Sequence, residues 1–385
     1  MRFAIKKWAD VLQIISGRNQ KEVLDPTGSY PIYGSGGIMG YANQYLCEAG
    51  TTIVGRKGTI DNPIFVNERF WNVDTAFGVS PGEQLNPRYL YFFCRHFNFK
   101  QLDKSTTIPS LAKRDLLSIE MPVPPLAEQG RTVAKIDELF SELDSGVETL
   151  KKTKQQLAVY RQSVLKAAFA VTDAPFRRLE ETCFFITKGT TPKTAAMSSG
   201  TGEIPFIKVY NLTSNSRLDF SINPTFVGEE THKKFLGRSI VYPGDVLMNI
   251  VGPPMGKVSI VPDTFPEWNI NQAIARFRCL NGLCNKYLAY FLGYSDTIRK
   301  MTSKAKATAG QFNLTLEICR DIQIPVPPIE KQKQIVVEIE SRLSVCDSIE
   351  KTVDAALQQA ESMRQSILKK AFEGALGKKE ETPCH

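Results

Sequence analysis

The strongest constraint on this chain is that part of it occurs twice. Residues 122–169 return as residues 325–372 at a constant offset of 203, and 20 of the 48 paired positions are identical. Chance gives about three, so the match marks an internal duplication, and both copies must find like surroundings in the fold. Each copy opens on Pro-Val-Pro-Pro, at 122–125 and 325–328, and closes on Arg-Gln-Ser-x-Leu-Lys, at 161–166 and 364–369.

Each copy reads as one long helix. Apolar residues in the first fall at Leu126, Val133, Ile136, Phe140, Leu143, Val147, Leu150, Leu157, Val164 and Ala168. Steps of three and four are the a/d pattern of a coiled coil. The second copy repeats it from Ile329 to Ala371, with Glu350 breaking the seam and Ile349 expected in its place. Lys154, Arg161 and Arg364 are polar insertions that set register at some cost in stability. The Pro-Pro pairs suit a helix start, where the first turn has no N–H partners to lose. Gly374 is the expected stop of the second helix.

The length of 385 residues allows two or three domains, and 42% hydrophobic residues supports real cores. No leader-like segment and no apolar run long enough to span a bilayer is read. Eight scattered cysteines contain no CxxC pair, so neither a zinc site nor a disulfide framework is expected, and a reducing cytoplasm is the expected setting. The net charge of +8 is unevenly placed. Residues 1–121 hold 14 Lys/Arg against 11 Asp/Glu, and residues 171–324 hold 18 against 13. The helical copies are close to neutral, which suits two globular modules facing an anion with the helices as a frame.

The two globular segments also resemble each other, in the same order. Trp71-Asn72-Val73-Asp74-Thr75-Ala76 pairs with Trp268-Asn269-Ile270-Asn271-Gln272-Ala273, and Tyr89-Leu90-Tyr91-Phe92-Phe93 pairs with Tyr287-Leu288-Ala289-Tyr290-Phe291. The latter reads as a buried helix. The offset drifts from about 171 to 198 before it locks at 203. Length variation is therefore confined to the modules, where surface loops tolerate insertion and carry specificity. Short β-rich runs broken by Gly, Pro and Asn predict mixed α/β modules, with nothing that demands a parallel sheet.

No catalytic constellation emerges. Gly252-Pro253-Pro254-Met255-Gly256-Lys257 has three residues between its glycines and Val258 after the lysine, so it is not a phosphate loop. Asp61-Asn62-Pro63-Ile64-Phe65 is close to the Asn-Pro-Pro-aromatic loop of adenine methyltransferases, but Ile64 stands at the second proline and no glycine-rich cofactor loop precedes it. The histidines, His96, His232 and His385, neighbour no evident nucleophile or ligand set.

Two variable modules alternating with two near-identical helices, each entered through Pro-Val-Pro-Pro, resemble the specificity subunit of type I restriction–modification systems, the HsdS family. The most specific parts are Pro124-Pro125-Leu126-Ala127-Glu128-Gln129 and the duplicated helix endings; the second entry reads Pro327-Pro328-Ile329-Glu330-Lys331-Gln332, its acid displaced by one position. The resemblance implies an α/β chain of two target recognition domains, 1–121 and 171–324. Two long helices, 122–170 and 325–376, would form an antiparallel coiled coil with pseudo-twofold symmetry, followed by a tail, 377–385. Each domain would read one half of a bipartite duplex DNA site. The helices would set the gap and dock two modification subunits, with restriction subunits joining them. The resemblance implies no cofactor in this chain; S-adenosylmethionine, and ATP with magnesium, would serve the partners. A helix of about 45 residues is about 67 Å long, which bounds the reach at about 20 base pairs.

Candidate phosphate contacts are Arg18, Arg56, Lys57, Lys104, Lys188, Lys193, Lys208, Lys257, Lys304 and Lys306, all in Gly/Thr/Ser-rich surroundings. Asn19, Tyr210, Asn211 and Gln311 are candidate base readers, since amides bond adenine edges bidentately. Trp71 and Trp268 are expected to fill cores. Two other readings stay open at this point: a coiled-coil scaffold whose modules bind protein or carbohydrate, and a fused methyltransferase, against which the missing cofactor loop argues.

Overall fold

The computed structural model describes residues 3–170, 174–213, 216–308, 311–374 and 376, with the side chains of residues 306–308 and 311 outside the description. The duplicated segments are helices Leu126–Ala170 and Ile329–Phe372. The Pro125 carbonyl begins the first by accepting the N–H groups of Glu128 and Gln129, and the Pro328 carbonyl begins the second through Lys331 and Gln332. Gly374, at φ +73°, ends the second helix, as a left-handed residue just past the last turn should.

Compactness divides the chain across both long helices: one unit is Met1–Lys152 with Val353–His385, the other Thr153–Thr352. Each unit holds one module, the N-terminal part of one long helix and the C-terminal part of the other. In the first unit Val133 and Ile136 share a core with Leu368 and Ala371, while the later Asp144 meets the earlier Arg364, so the helices run antiparallel. In the second unit Val164 and Leu165 share a core with Ile335, Val336 and Ile339, and Arg161 bonds Asp347 at 2.7 Å and Glu350 at 2.8 Å. Arg161–Asp347 and Arg364–Asp144 are the same pair seen twice, each residue displaced by 203.

Two seam expectations are corrected. Leu126 is 51% exposed, so it lies outside the seam. Ile349 does not replace Glu350. It stays exposed, because Glu350 remains beside the seam as a partner of Arg161.

In the first module a four-stranded antiparallel sheet runs in the order Leu12–Ser16, Ala76–Pro81, Thr51–Gly55, Ile64–Val66. A three-stranded sheet has the order Gly37–Ala42, Tyr30–Gly34, Trp71–Asn72, with its last pair parallel. In the second module the strands Cys183–Lys188, Ile274–Cys279, Val246–Asn249 and Val258–Ile260 are antiparallel neighbours in that order. Ile204–Ile207 again pairs parallel with Trp268–Ile270. Trp71 and Trp268 are both buried.

Helix Pro87–His96 buries Tyr89, Leu90, Phe92 and Phe93, and Asn86 caps it, its side-chain oxygen accepting two first-turn N–H groups. Its counterpart Asn285–Leu292 buries Tyr287, Leu288, Ala289 and Phe291. Each of these helices is held in the same way, by the lead-in to one long helix and by the end of the other. Tyr89 donates to the Pro122 carbonyl and Tyr287 to the Pro325 carbonyl, both at 3.0 Å. Phe372 packs edge-on against Tyr89 and Phe93, as Phe169 does against Tyr287 and Phe291. A module is thereby seated on the start of the helix that follows it and on the end of the other.

Candidate nucleic-acid interface

In the first module the turn between strands Trp71–Asn72 and Ala76–Pro81 gathers most of the expected contacts. Asn72 is fully buried; its amide donates to the carbonyls of Ile15 and Ala76, at 3.3 and 3.2 Å, and its oxygen accepts from Cys47 Sγ. Burial raises the Cys47 thiol to about 12, so it stays a neutral donor there. Gly17 lies hard against the turn: a β-carbon on it would come within 1.9 Å of the Val73 carbonyl oxygen. Only glycine permits that approach, and it delivers Arg18 and Asn19 to one flank, where Arg18 N–H donates to the Asn72 carbonyl at 3.0 Å. On the other flank Arg56 and Lys57 both donate backbone N–H to the Thr75 carbonyl, and the Arg56 guanidinium donates to the Asp74 carbonyl at 3.3 Å. Lys57 and Arg18 are exposed. Lys104 is paired with Asp115 at 3.1 Å, which offsets its charge.

The second module builds the same turn from different residues. A β-carbon on Gly189 would lie 2.0 Å from the Ile270 carbonyl oxygen, as at Gly17. Lys188 precedes that glycine, Lys208 follows the strand paired with Trp268–Ile270, and Lys257 donates its N–H to buried Asn249 at 2.9 Å. Ile250 N–H reaches the Ala273 carbonyl, so Lys188, at a strand end, and Lys208 and Lys257, on loops, border residues 270–274. Tyr210 is held by bonds from its hydroxyl to the Asn223 carbonyl and to Thr225, with Lys208 Nζ 5.9 Å from its ring.

Asn211 requires a correction. It is 1% exposed, its oxygen accepts Lys208 N–H, and its amide donates to the carbonyls of Asp219 and Ile222. It holds the loop together and has no edge left for a base. Lys193 and Lys304 are exposed but make no contact with the turn, and Lys304 instead lines a separate cavity of about 430 Å³. Lys306 and Gln311 lie on a hairpin, Lys306–Thr308 with Gln311–Asn313, but their side chains lie outside the described residues.

Some residues of this region carry no local sequence signal. His232 is buried, with Nδ1 2.7 Å from Asn269 Oδ1 and Nε2 2.8 Å from Glu267. It supports Asn269, the counterpart of Asn72, from a helix well upstream in the chain. The exposed tip Ser35-Gly36-Gly37-Ile38-Met39 of the hairpin Tyr30–Gly34 with Gly37–Ala42 is likewise silent in the sequence. Among the described residues no cluster of His, Cys, Asp and Glu could hold a metal ion, and no helix is long and apolar enough to cross a membrane.

Two β-rich modules, each with cations around a strand-end turn and each seated on a pair of antiparallel helices, define the class of protein to which this chain belongs. The chain belongs to the family described as the type I restriction modification DNA specificity domain, whose model matches residues 2–158 and 173–359. It is 26% identical to the type I restriction enzyme EcoBI specificity subunit of Escherichia coli over 364 residues, covering 84% of this chain and 73% of that one. It is 22% identical to the EcoDI specificity subunit of Escherichia coli, covering 95% and 87%. A chain solved in a structural study of complex assembly and conformational transition of the type I R-M system shares the fold, with a TM-score of 0.71, 18% identity and coverage of 97% and 98%.

Proposed function

We propose that this chain is the DNA sequence-specificity subunit of a type I restriction–modification complex. Residues 1–121 and 171–324 each read one half of a bipartite duplex site, and the paired helices set the gap between halves. One observation carries the reading: both modules put cations around the same strand-end turn, through a glycine that tolerates no side chain. Membership of the specificity family supports it. Phosphate contacts position such a protein and base contacts specify the sequence. The cations of the two turns, Arg18, Arg56 and Lys57 in one and Lys188, Lys208 and Lys257 in the other, take the first role. Asn19 and Tyr210 take part in the second. Lys193, Lys304, Lys306 and Gln311 add peripheral contacts, and Lys104 adds little while Asp115 holds it.

The chain works without catalysing a step itself, in the cytoplasm, beside modification subunits docked on the helices and restriction subunits joined to them. S-adenosylmethionine, and ATP with magnesium, serve those partners. Methylome mapping of cells carrying this gene with its neighbours tests the proposal. The expected result is methylation of one sequence in two halves separated by an unread gap of constant length. Methylation of one uninterrupted sequence, or methylation unchanged when this gene is deleted, overturns it.

A further inference from the structure

Beside the cationic turn of the first module stands a feature that charge does not explain. Ile38 is 56% exposed and Met39 62% exposed, at the tip of a two-stranded hairpin. Neither residue is in a core, and water meets two large apolar side chains side by side. The tip is also built to hold them. Ser35 and Gly36 form the connection, Gly37 sits at φ +123°, and the pairing shifts between Ile32 and Tyr33 so that Met39 is the extra residue of a bulge. Bulges re-aim side chains at functional edges. Gly34 has no side chain, and a β-carbon there would come within 2.7 Å of Met39 Sδ. The methionine therefore lies over Gly34, in space that any other residue would occupy.

The position of the tip identifies its ligand. The carbonyl of Tyr33, at its base, accepts the N–H of Val73 from the turn that Arg18 and Arg56 flank. A β-carbon on Gly58, the residue after Lys57, would lie 3.8 Å from Ser35 Oγ. Cations that suit phosphates thus border an apolar knob on the tip of a hairpin whose base is joined by a third strand, Trp71–Asn72. The major groove, about 12 Å wide, admits a hairpin tip of this kind, and the minor groove, about 6 Å wide, presents no methyl group to an apolar knob. In the major groove the apolar group that base edges present is the thymine C5-methyl. The matching strand of the second module, Ile204–Ile207, leads instead into the turn Val209–Asn211 with Tyr210, so the device belongs to one module alone.

We infer that Ile38 and Met39 contact thymine methyl groups in the major groove and so read bases for the first module. The inference rests on the reading of this chain as a duplex DNA reader. The test uses the full-length chain and its mapped bipartite target, with each thymine replaced singly by deoxyuridine, which lacks only the methyl. Removal of one contacted methyl should weaken binding about fourfold, at thymines confined to one half-site. Ile38→Ser with Met39→Ser should abolish that sensitivity while leaving the salt dependence of binding as it was. Ile38→Val with Met39→Leu should restore it. Both sites are exposed, so the fold tolerates each pair. Uniform binding of the wild type to all deoxyuridine duplexes, or full methyl sensitivity in the serine variant, overturns the inference. A serine variant that keeps methyl sensitivity but loses a DNA bend seen by end-to-end energy transfer also overturns it, in favour of a wedge between base steps. If the wild-type chain shows no salt-dependent preference for the bipartite target, the underlying reading falls first.

Discussion

The side-chain oxygen of Gln129 accepts the backbone N–H of Asn86 at 2.8 Å, and its amide donates to the carbonyls of Gln84 and Pro124, both at 2.8 Å. Gln332 makes the same three bonds, from Cys284 N–H and to the carbonyls of Gly282 and Pro327, again at 2.8 Å. Both glutamines are fully buried. Each ties the first turn of a long helix to the loop that enters the module's aromatic helix, and satisfies backbone groups that water cannot reach.

Gln129→Ala should therefore destabilise the first unit by more than an exposed helix substitution does. Each backbone group left buried without a partner costs about 1–3 kcal/mol. Gln332→Ala should act equally on the second unit. Chemical denaturation followed by tryptophan fluorescence measures both. A loss under about 0.5 kcal/mol would place water in the vacated site as an adequate substitute.

Affinity for DNA should separate cations around the turn from a cation already paired. Arg56→Ala with Lys57→Ala should reduce the slope of log binding constant against log salt by about 0.9 for each phosphate no longer neutralised, without changing the preferred sequence. Lys104→Ala should change it much less, because Asp115 already offsets that charge. Equal slopes for the two variants would remove the turn from the interface.

Acid should weaken the first unit in a defined window. His96 stacks on Phe372, and burial holds its pKa below the ordinary histidine value, with Glu373 opposing and Lys369 reinforcing the shift. The folded state thus binds the proton less well than the unfolded chain. The stability from this site is whole above about pH 6.5 and is lost as the pH falls from there through the depressed folded value. His96→Gln should flatten that part of the stability curve. Thermal melts at successive pH values check it, and an unchanged slope would assign the acid sensitivity to another group.

The helix pair should act as a ruler. One heptad inserted after Thr149 and another after Thr352 keeps the a/d seam in phase. Each helix lengthens by about 10.5 Å, equivalent to about three base pairs. Methylome mapping should find both half-sites unchanged and the gap wider by up to that amount. A variant that folds and methylates with the original gap would rule the helices out as the spacer.

The frame is legible in the sequence because its signals are local and repeated. The seam from Val133 to Ala168 has a period, Gly374 a stop signal, and Arg161 with Arg364 an interruption that a helix can hold only if something answers it. What answers it is not legible. Asp144 and Asp347 look like any exposed acid of a helix until the two helices run antiparallel. The expectation at Leu126 fails as well: the heptad continues through it, but at the helix start its side chain stays exposed.

At the candidate interface the sequence points to residue types and the fold selects among them. Arg18, Arg56 and Lys57 are expected, and they meet because strands distant in sequence end at one turn. Asn211 has the right amide but is buried with every bond used, and burial has no signature in a single asparagine. Ile38 and Met39 stand out only in the fold, because two apolar residues in a glycine-rich stretch read as part of a strand until their exposure is seen. The sequence by itself determined the duplicated helices, their phase and the existence of two cationic modules, since periodicity and composition act between near neighbours. Which carboxylate meets Arg161, which backbone groups Gln129 satisfies and which side chains stand beside the turn were decided by tertiary structure alone, because those partners come together only when loops tens of residues long have closed.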